Sequence, residues 1–270
     1  MQSVADFVGK CLAYEQYAFS WDELKAEVSK SDIALRHELV RLSRKKEVLT
    51  LRQGFYLILP PRYKAFGKLP LEFYSEKLFK FLGKPYYIAF FSAAAFHGAS
   101  HQQVQQSYLM TKIPNIRDIK KGNNYINVSA TSNWPEKNIL KRKSDAGIFN
   151  ISSPALTAID LIHYQSRMGG LNRILAILEE LAESMTTEDI QELLQWYPHT
   201  SSIQRLGFLL EELLEENTLT LPLKDHLKSR NYFPVLLSPE KGSKPGGANN
   251  TWKVDANIEL ESDLLFPNHT

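Results

Sequence analysis

The pattern of hydrophobic and polar positions is sharpest over residues 20–59. The stretch opens with Ser20 and Glu23, a capping box in which each side chain satisfies a free backbone N–H at a helix start. A short helix is therefore expected through Val28. Ser31 can cap a second helix that continues to about residue 46. That helix has one apolar stripe at i, i+4 and i+7, formed by Leu35, Leu39 and Leu42.

The face of this second helix opposite its leucines is basic. At about 100° per residue that face collects Ile33, Arg36, His37, Val40, Arg41 and Arg44, with Lys45 at its edge. Two alternating runs follow, at residues 48–51 and 55–58, on either side of Arg52, Gln53 and Gly54. Because glycine favours the positive φ that a tight turn needs, these runs predict a β-hairpin.

A helix, a three-residue turn, a basic helix and a tight hairpin are the layout of a winged helix-turn-helix, whose second helix enters the major groove of DNA. The predicted DNA contacts are base reading by Arg36, His37 and Arg41, with Ile33 and Val40 on the same face, phosphate binding by Arg44 and Lys45, and wing contacts by Arg52 and Gln53. The alternative is an ordinary solvated helix face, since basic residues are common on exposed helices.

The rest of the chain is interpreted from the same periodicities. Residues 3–17 predict a first helix of the winged domain, with Cys11 as a small buried core residue. Apolar runs at 104–110, 125–128 and 148–151 suggest a small, mostly antiparallel sheet. Helices are expected at 71–82, 155–167, 171–185, 190–197 and 203–216, and extended segments at 219–223, 232–237 and 252–258.

These elements predict an α+β protein with two domains. An N-terminal winged helix-turn-helix is expected over residues 1–62, and a basic connector over 63–70. A C-terminal α/β domain, with the small antiparallel sheet and a helical cluster, is expected over 71–263. Residues 264–270 would be a loose tail.

Charge is distributed unevenly along the 270 residues, although the formal net charge is only +2. Residues 1–150 hold 23 Lys and Arg against 13 Asp and Glu, whereas residues 151–270 hold 9 against 17. Polyanion binding is therefore expected of the front half. The single cysteine excludes an internal disulfide and a multi-cysteine zinc site. No apolar run reaches the ~20 residues of a membrane span, and no signal-peptide pattern is present, so a cytoplasmic protein is expected.

The sequence offers little catalytic chemistry. It contains no P-loop, dinucleotide-binding glycine pattern or Gly-x-Ser-x-Gly motif. His97 and His101 stand at i, i+4, but no nearby carboxylate or cysteine completes a metal site. Asp160 lies among apolar helix residues, which favours an internal hydrogen bond over a general base. We therefore expect a protein that is not an enzyme and that has no cofactor and no bound metal.

Several short segments are informative through their order and spacing. They are Gly54-Phe55-Tyr56 in the predicted hairpin, residues 91–98, residues 152–161, Gly169-Gly170, residues 205–210, Trp252-Lys253-Val254 and Asn257. Together they resemble the AbiEi-type antitoxins of abortive-infection, type IV toxin–antitoxin systems, over most of the chain. One departure is Ala158, where that family often has a basic residue.

The resemblance implies a winged helix-turn-helix followed by an α/β antitoxin domain. Such proteins repress their own operon by binding inverted repeats in double-stranded promoter DNA, on which two copies would bind together. They also counter a nucleotidyltransferase-like toxin, usually without a stable complex, and their C-terminal domain carries the antitoxicity. Two alternatives stay open: a stand-alone winged-helix regulator whose C-terminal domain senses a ligand, and a nuclease guided by the winged domain.

Overall fold

The computed structural model describes residues 2–99 and 106–260, which fall into two compact units. The first unit comprises Met1–Tyr87, Gln105–Ser132 and Lys141–Ile151, and the second comprises Ile88–Val104, Asn133–Leu140 and Ser152–Thr270. Both units contain helices and strands, so the predicted α+β class is confirmed. His101, the first residues of the apolar run at 104–110 and the predicted tail at 264–270 lie outside the described residues.

The N-terminal part of the first unit alternates helices and strands. In chain order it contains α1 (Val4–Ala13), β1 (Ala18–Ser20), α2 (Trp21–Glu27), α3 (Asp32–Arg44), β2 (Val48–Arg52) and β3 (Phe55–Ile58). Ser20 and Ser31 cap α2 and α3 as predicted, because each hydroxyl accepts a backbone N–H three residues later. β3 pairs antiparallel with both other strands, which gives the order β1-β3-β2.

One hydrophobic core joins these six elements, and α3 contributes the three leucines of its predicted stripe. At its centre Phe19 meets Phe7 edge-on, with ring centroids 5.2 Å apart, and stacks on Tyr56 at 5.1 Å. Cys11 belongs to the same core, and burial raises the pKa of its thiol. It is therefore a buried core residue, as predicted, because a raised thiol pKa disfavours the reactive thiolate.

The rest of the first unit is built on a six-stranded sheet. Three short elements precede its first strand in the chain: α4 (Pro61–Lys64), a 3-10 turn (Leu71–Phe73) and α5 (Ser75–Leu82). The strands are β4 (Tyr86–Ile88), β5 (Ser107–Lys112), β6 (Ile119–Lys121), β7 (Asn124–Thr131), β8 (Ile139–Ser144) and β9 (Gly147–Ser152). Their order is β6-β7-β5-β4-β9-β8.

The prediction of a mostly antiparallel sheet is wrong for β5 and β7, which run parallel. β6 lies at the edge of the sheet and pairs antiparallel with β7. The chain therefore leaves β5, reverses in β6 and reverses again into β7, which lies beside β5 in the same direction. Because side chains alternate in the same way in both kinds of strand, the apolar runs could not reveal this crossover.

The second unit is mainly helical. Its helices are α6 (Phe90–Phe96), α7 (Pro154–His163), α8 (Leu171–Ala182), α9 (Thr187–Leu194), α10 (Thr200–Phe208), a π-helical turn (Leu209–Leu213) and α11 (Asn217–Lys228). Ser153 caps α7, with Pro154 at its first position, as predicted. Eight consecutive residues of α7, from Ala155 to Ile162, are buried, so α7 forms the centre of this unit. A 3-10 turn (Pro239–Lys241) lies between two short parallel strands, β10 (Val235–Leu236) and β11 (Val254–Asp255).

The prediction of an extended segment at 219–223 is wrong, because these residues lie inside α11. Leu219, Leu221 and Leu223 alternate as in a strand, and proline at position 222 disfavours a helix interior. In the folded chain Leu219, Leu223 and Leu227 are buried, whereas Leu221 is 57% exposed. A four-residue apolar repeat therefore decides the structure, and the helix tolerates the proline at the cost of one hydrogen bond. The strand predicted at 252–258 is likewise only two residues long.

Asn138 ties three segments of the second unit together. It is 4% exposed and has a φ of +64°, which Asn tolerates better than most residues. Its side-chain amide donates to the backbone carbonyl and the carboxylate of Asp189 at 2.9 and 2.8 Å, and its oxygen accepts the indole N–H of Trp196 at 2.8 Å. The other Asp189 oxygen accepts the backbone N–H of Ala155 at 2.8 Å. The start of α7 is thereby fixed to α9.

Candidate nucleic-acid interface

The structure gives α3 two different faces. Its leucine stripe is in the core, with Leu35 fully buried. The side chains predicted on the opposite face are all exposed: Ile33, Arg36, His37, Val40, Arg41, Arg44 and Lys45. Among the residues described, none forms an ion pair with Arg41, Arg44 or Lys45. Cationic groups therefore face solvent without a bound carboxylate.

Two apolar side chains interrupt this basic face. Ile33 is 71% exposed and Val40 is 49% exposed. Exposed aliphatic side chains gain little from contact with water, and single ones are common on protein surfaces. In protein–DNA complexes, apolar side chains on a basic helix contact the methyl groups of thymine.

Arg36 is oriented by the first residue of α2. Its guanidinium carbon lies 5.4 Å from the centre of the Trp21 ring, within the range of a cation–π contact. Trp21 is itself partly buried against the core of the N-terminal part. This contact was not predictable from the sequence, because Trp21 and Arg36 belong to different helices and only the fold brings them together.

Glu38 fixes the position of α3 from the side next to its basic face. Its carboxylate accepts the backbone N–H of Val4 at 2.8 Å and the ammonium of Lys30 at 2.5 Å. The side chains of Lys30 and Glu38 are only 18% and 19% exposed, and the hydrogen bond from Lys30 is the main reason that the pKa of Glu38 is lowered. The start of α1 and the turn before α3 are thus both tied to α3.

The hairpin places its two predicted contact residues differently. Gln53 is exposed at the turn, whereas Arg52 is half-buried. One terminal nitrogen of the Arg52 guanidinium is buried and has no hydrogen-bond partner among the described residues. Gly54 has a φ of +77°, which confirms the predicted need for glycine in this turn. Lys46, which follows α3 at a φ of +54° and is exposed, is a further cation that the Arg44-Lys45-Lys46 run could have suggested.

The second unit contains a stacked pair of half-buried histidines. His163 and His199 stack with ring centroids 4.3 Å apart, and Nδ1 of His163 lies 3.0 Å from the hydroxyl of Ser202. Burial, with smaller contributions from His199 and Arg205, lowers the pKa of His163 to about 4. Burial also lowers the pKa of His199. Since Ser202 is fully buried, its hydroxyl is a packed group and not an accessible nucleophile.

Several of the residues that carry the resemblance to AbiEi-type antitoxins contact one another or their neighbours in the second unit. Gly207 of α10 lies under the ring of Trp252, and the indole N–H donates to Glu211 at 2.7 Å. Arg205 donates to the carbonyl of Leu236 at 2.8 Å. Asn257 bonds both the backbone N–H and the carbonyl of Ser238, at 2.9 Å each. These residues attach the C-terminal segment to α10.

The described residues contain few groups that could bind a metal. Within 2–99 and 106–260, no three His, Cys, Asp or Glu side chains converge as a metal site would need. Nε2 of His97 lies 2.8 Å from the Ser152 carbonyl, which can only accept a hydrogen bond, so this nitrogen is a donor. In the same two ranges no helix combines the length and apolar character of a membrane span.

These features define an α+β protein whose N-terminal part exposes a basic helix face and whose second unit is a helical cluster. Residues 87–212 match the family model of the AbiEi antitoxin C-terminal domain. The chain therefore carries an AbiEi-type antitoxin domain, and the resemblance seen in the sequence is confirmed. That domain supports an antitoxin role in a toxin–antitoxin system.

The fold also occurs among solved structures. The crystal structure of the RV2827C protein from Mycobacterium tuberculosis matches 93% of this chain and 89% of its own, with a TM-score of 0.62. The two sequences are 14% identical, so the likeness concerns the fold alone. No curated protein matches this chain.

Proposed function

We propose that this antitoxin also represses its own operon, with residues 1–62 as a winged helix-turn-helix and residues 71–263 as the antitoxin domain. In this proposal α3 enters the major groove of promoter DNA, and the hairpin of β2 and β3 is the wing. The order of helices and strands in the N-terminal part and the short turn before α3 support the assignment. Two copies would bind inverted repeats, because a two-fold DNA site matches a pair of identical chains.

The observation that carries the proposal is the two-faced character of α3. Its leucines are in the core, while its opposite face presents cations with no ion-pair partner among the described residues. Arg36 and Arg41 would read bases, since arginine is the most frequent reader of guanine. Ile33 and Val40 would contact thymine methyl groups, and Arg44 and Lys45 would bind phosphates.

Fluorescence anisotropy with DNA from upstream of the gene tests this proposal. We expect the full chain to prefer that DNA over a scrambled duplex by ~10³-fold or more, with affinity that falls as salt rises. Arg41→Glu combined with Arg44→Glu should abolish the preference and leave the melting temperature unchanged, because both side chains are exposed.

A matched control separates contact from net charge. Lys241→Glu with Lys244→Glu makes the same change in charge at exposed positions of the second unit, and it should bind the upstream DNA better than the α3 variant does. Equal binding of the parent and the α3 variant would mean that α3 does not contact DNA. Equal, weak binding of the parent to both duplexes would mean that the basic face is only a general polyanion surface.

The toxin in this proposal is a nucleotidyltransferase-like protein encoded beside the antitoxin. Expression of the neighbouring gene alone should arrest growth, and co-expression of this chain should restore it. The variant with Arg41→Glu and Arg44→Glu should still restore growth, because the antitoxicity is assigned to residues 71–263. Loss of rescue by this folded variant would contradict that separation of roles.

A further inference from the structure

A cavity of about 530 Å³ lies in the first unit, beside the three-stranded sheet and α5. Its volume is within the range of about 300–1,000 Å³ that is usual for small-molecule sites. Two aromatic pairs form its walls. Tyr17 stacks on Phe73 with centroids 4.7 Å apart, and Phe55 contacts Phe81 at 5.3 Å. Ile148, also in the wall, is 58% exposed, so a further apolar side chain borders the cavity.

The charged residues of the wall leave an excess of carboxylates. Glu23 and Lys77 pair with each other at 3.0 Å. The remaining charged residues are three carboxylates and one ammonium: Glu15, Glu72, Glu76 and Lys80. Glu72 is half-buried, and no cation among the described residues pairs with it.

We propose that this cavity binds a small organic cation with an aromatic body. The aromatic pairs would contact its ring, and the Glu72 carboxylate would pair with its charge. A half-buried carboxylate without a cationic partner is costly, and a charged ligand removes that cost. The faces of aromatic rings attract the same cations. Burial raises the pKa of Glu72, with a smaller contribution from Asp145, so binding should weaken as the pH falls and Glu72 becomes neutral.

Phe81 connects the cavity to the hairpin of β2 and β3. Its ring contacts Phe55 of β3, and its Cζ lies 3.5 Å from the position that a Cβ would take at Gly54 in the turn. Phe81 also lines the cavity and is 40% exposed, so a bound cation would contact a ring that packs on the hairpin. The cation would thus act as an effector of operator binding. This second step rests on the proposed DNA-binding function, whereas binding of the cation does not.

Calorimetric titration of the full chain with benzamidine tests the site, and benzamide is the control because it has nearly the same shape without the charge. We expect benzamidine to bind at least tenfold more tightly than benzamide. Glu72→Gln should weaken benzamidine binding by about tenfold, and Glu240→Gln, at an exposed position, should not. Phe81→Leu, which keeps an apolar side chain but removes the aromatic ring, should also weaken it. Equal binding of the two compounds, or unchanged binding by both cavity variants, would overturn the proposal.

Anisotropy with upstream DNA at saturating benzamidine then tests the effector role. We expect the affinity for that DNA to change by about fivefold or more, and the change should disappear in Glu72→Gln. If benzamidine binds and the DNA affinity does not change, the effector role is refuted while the site stands. If the parent does not prefer upstream DNA at all, the proposed repressor function fails, and the calorimetric result still decides the cavity.

Discussion

Replacing Gly207 by alanine should destabilise the second unit by displacing Trp252. A Cβ at this position would lie 2.0 Å from Cζ3 of the indole and 2.3 Å from two further ring carbons. Such distances are far inside van der Waals contact. The ring has little freedom to withdraw, because Trp252 is fully buried and its N–H is bonded to Glu211 at 2.7 Å. One methyl group therefore has to move either the indole or α10.

The expected cost follows from two limits. Removing a buried tryptophan altogether costs ~3–5 kcal/mol, whereas forcing an extra methyl group into a packed core costs ~1–3 kcal/mol. The cost of a partial displacement of the indole should lie between these two values. Alanine also favours the helix over glycine by up to about 1 kcal/mol, which offsets part of that cost. We expect a loss of about 2–4 kcal/mol in the free energy of unfolding. For a chain of this size that corresponds to a fall in melting temperature of roughly 5–15 °C.

Urea and thermal unfolding followed by tryptophan fluorescence would measure this loss. Gly9→Ala is the matched control, because Gly9 lies in α1, is exposed, and has no heavy atom within 4 Å of the new Cβ. That change should stabilise the chain by about 0.5–1 kcal/mol. If Gly207→Ala were as stable as the parent, the close packing of Trp252 on α10 would be wrong.

Three further changes test individual contacts. Glu38→Ala removes the acceptor of the Val4 N–H and of the Lys30 ammonium. It should lower the free energy of unfolding in urea by ~1–3 kcal/mol. An unchanged urea midpoint would show that these two contacts do not stabilise α3. The pKa of His163 is about 4 in the folded chain, compared with an ordinary value of 6.5. As the pH falls, the unfolded chain therefore takes up this proton before the folded chain does. The stability of the fold should decrease as the pH drops from 6.5 towards 4. His163→Asn should reduce this loss in melts between pH 7 and pH 5, and an equal loss would show that other groups cause it. Gly54→Ala puts a side chain at a φ of +77° and should cost ~1–2 kcal/mol; an unchanged melting temperature would show that this turn does not need glycine.

The N-terminal part was predictable from sequence because its signals are local. The capping serines and the stripe of α3 lie within a few residues of the elements that they define. The hairpin similarly depends on a single glycine between two short apolar runs. Each signal acts over one or two turns of chain, so no knowledge of distant contacts is needed.

The wrong predictions concern contacts between distant residues. The alternation at 219–223 fits a strand, and only burial against the rest of the second unit selects the helical repeat of Leu219, Leu223 and Leu227. The parallel pairing of β5 and β7 depends on the path of the chain through β6. In the candidate interface the same limit applies to Arg52, since its half-burial results from packing that the hairpin pattern does not encode.

The packing of the second unit also determines how the antitoxicity proposed for residues 71–263 can be mapped to a surface. Gly207, Trp252 and Asn257, which carry the resemblance, are engaged in internal contacts, so they specify the fold more than a binding surface. Substituting them would reduce antitoxicity by destabilising the domain, and that result would identify no contact with the toxin pathway. Exposed acidic residues such as Glu212 and Glu215 can be reversed in charge without disturbing the core. Loss of rescue with an unchanged melting temperature at such positions would therefore locate the surface, while loss of both would report only on the fold.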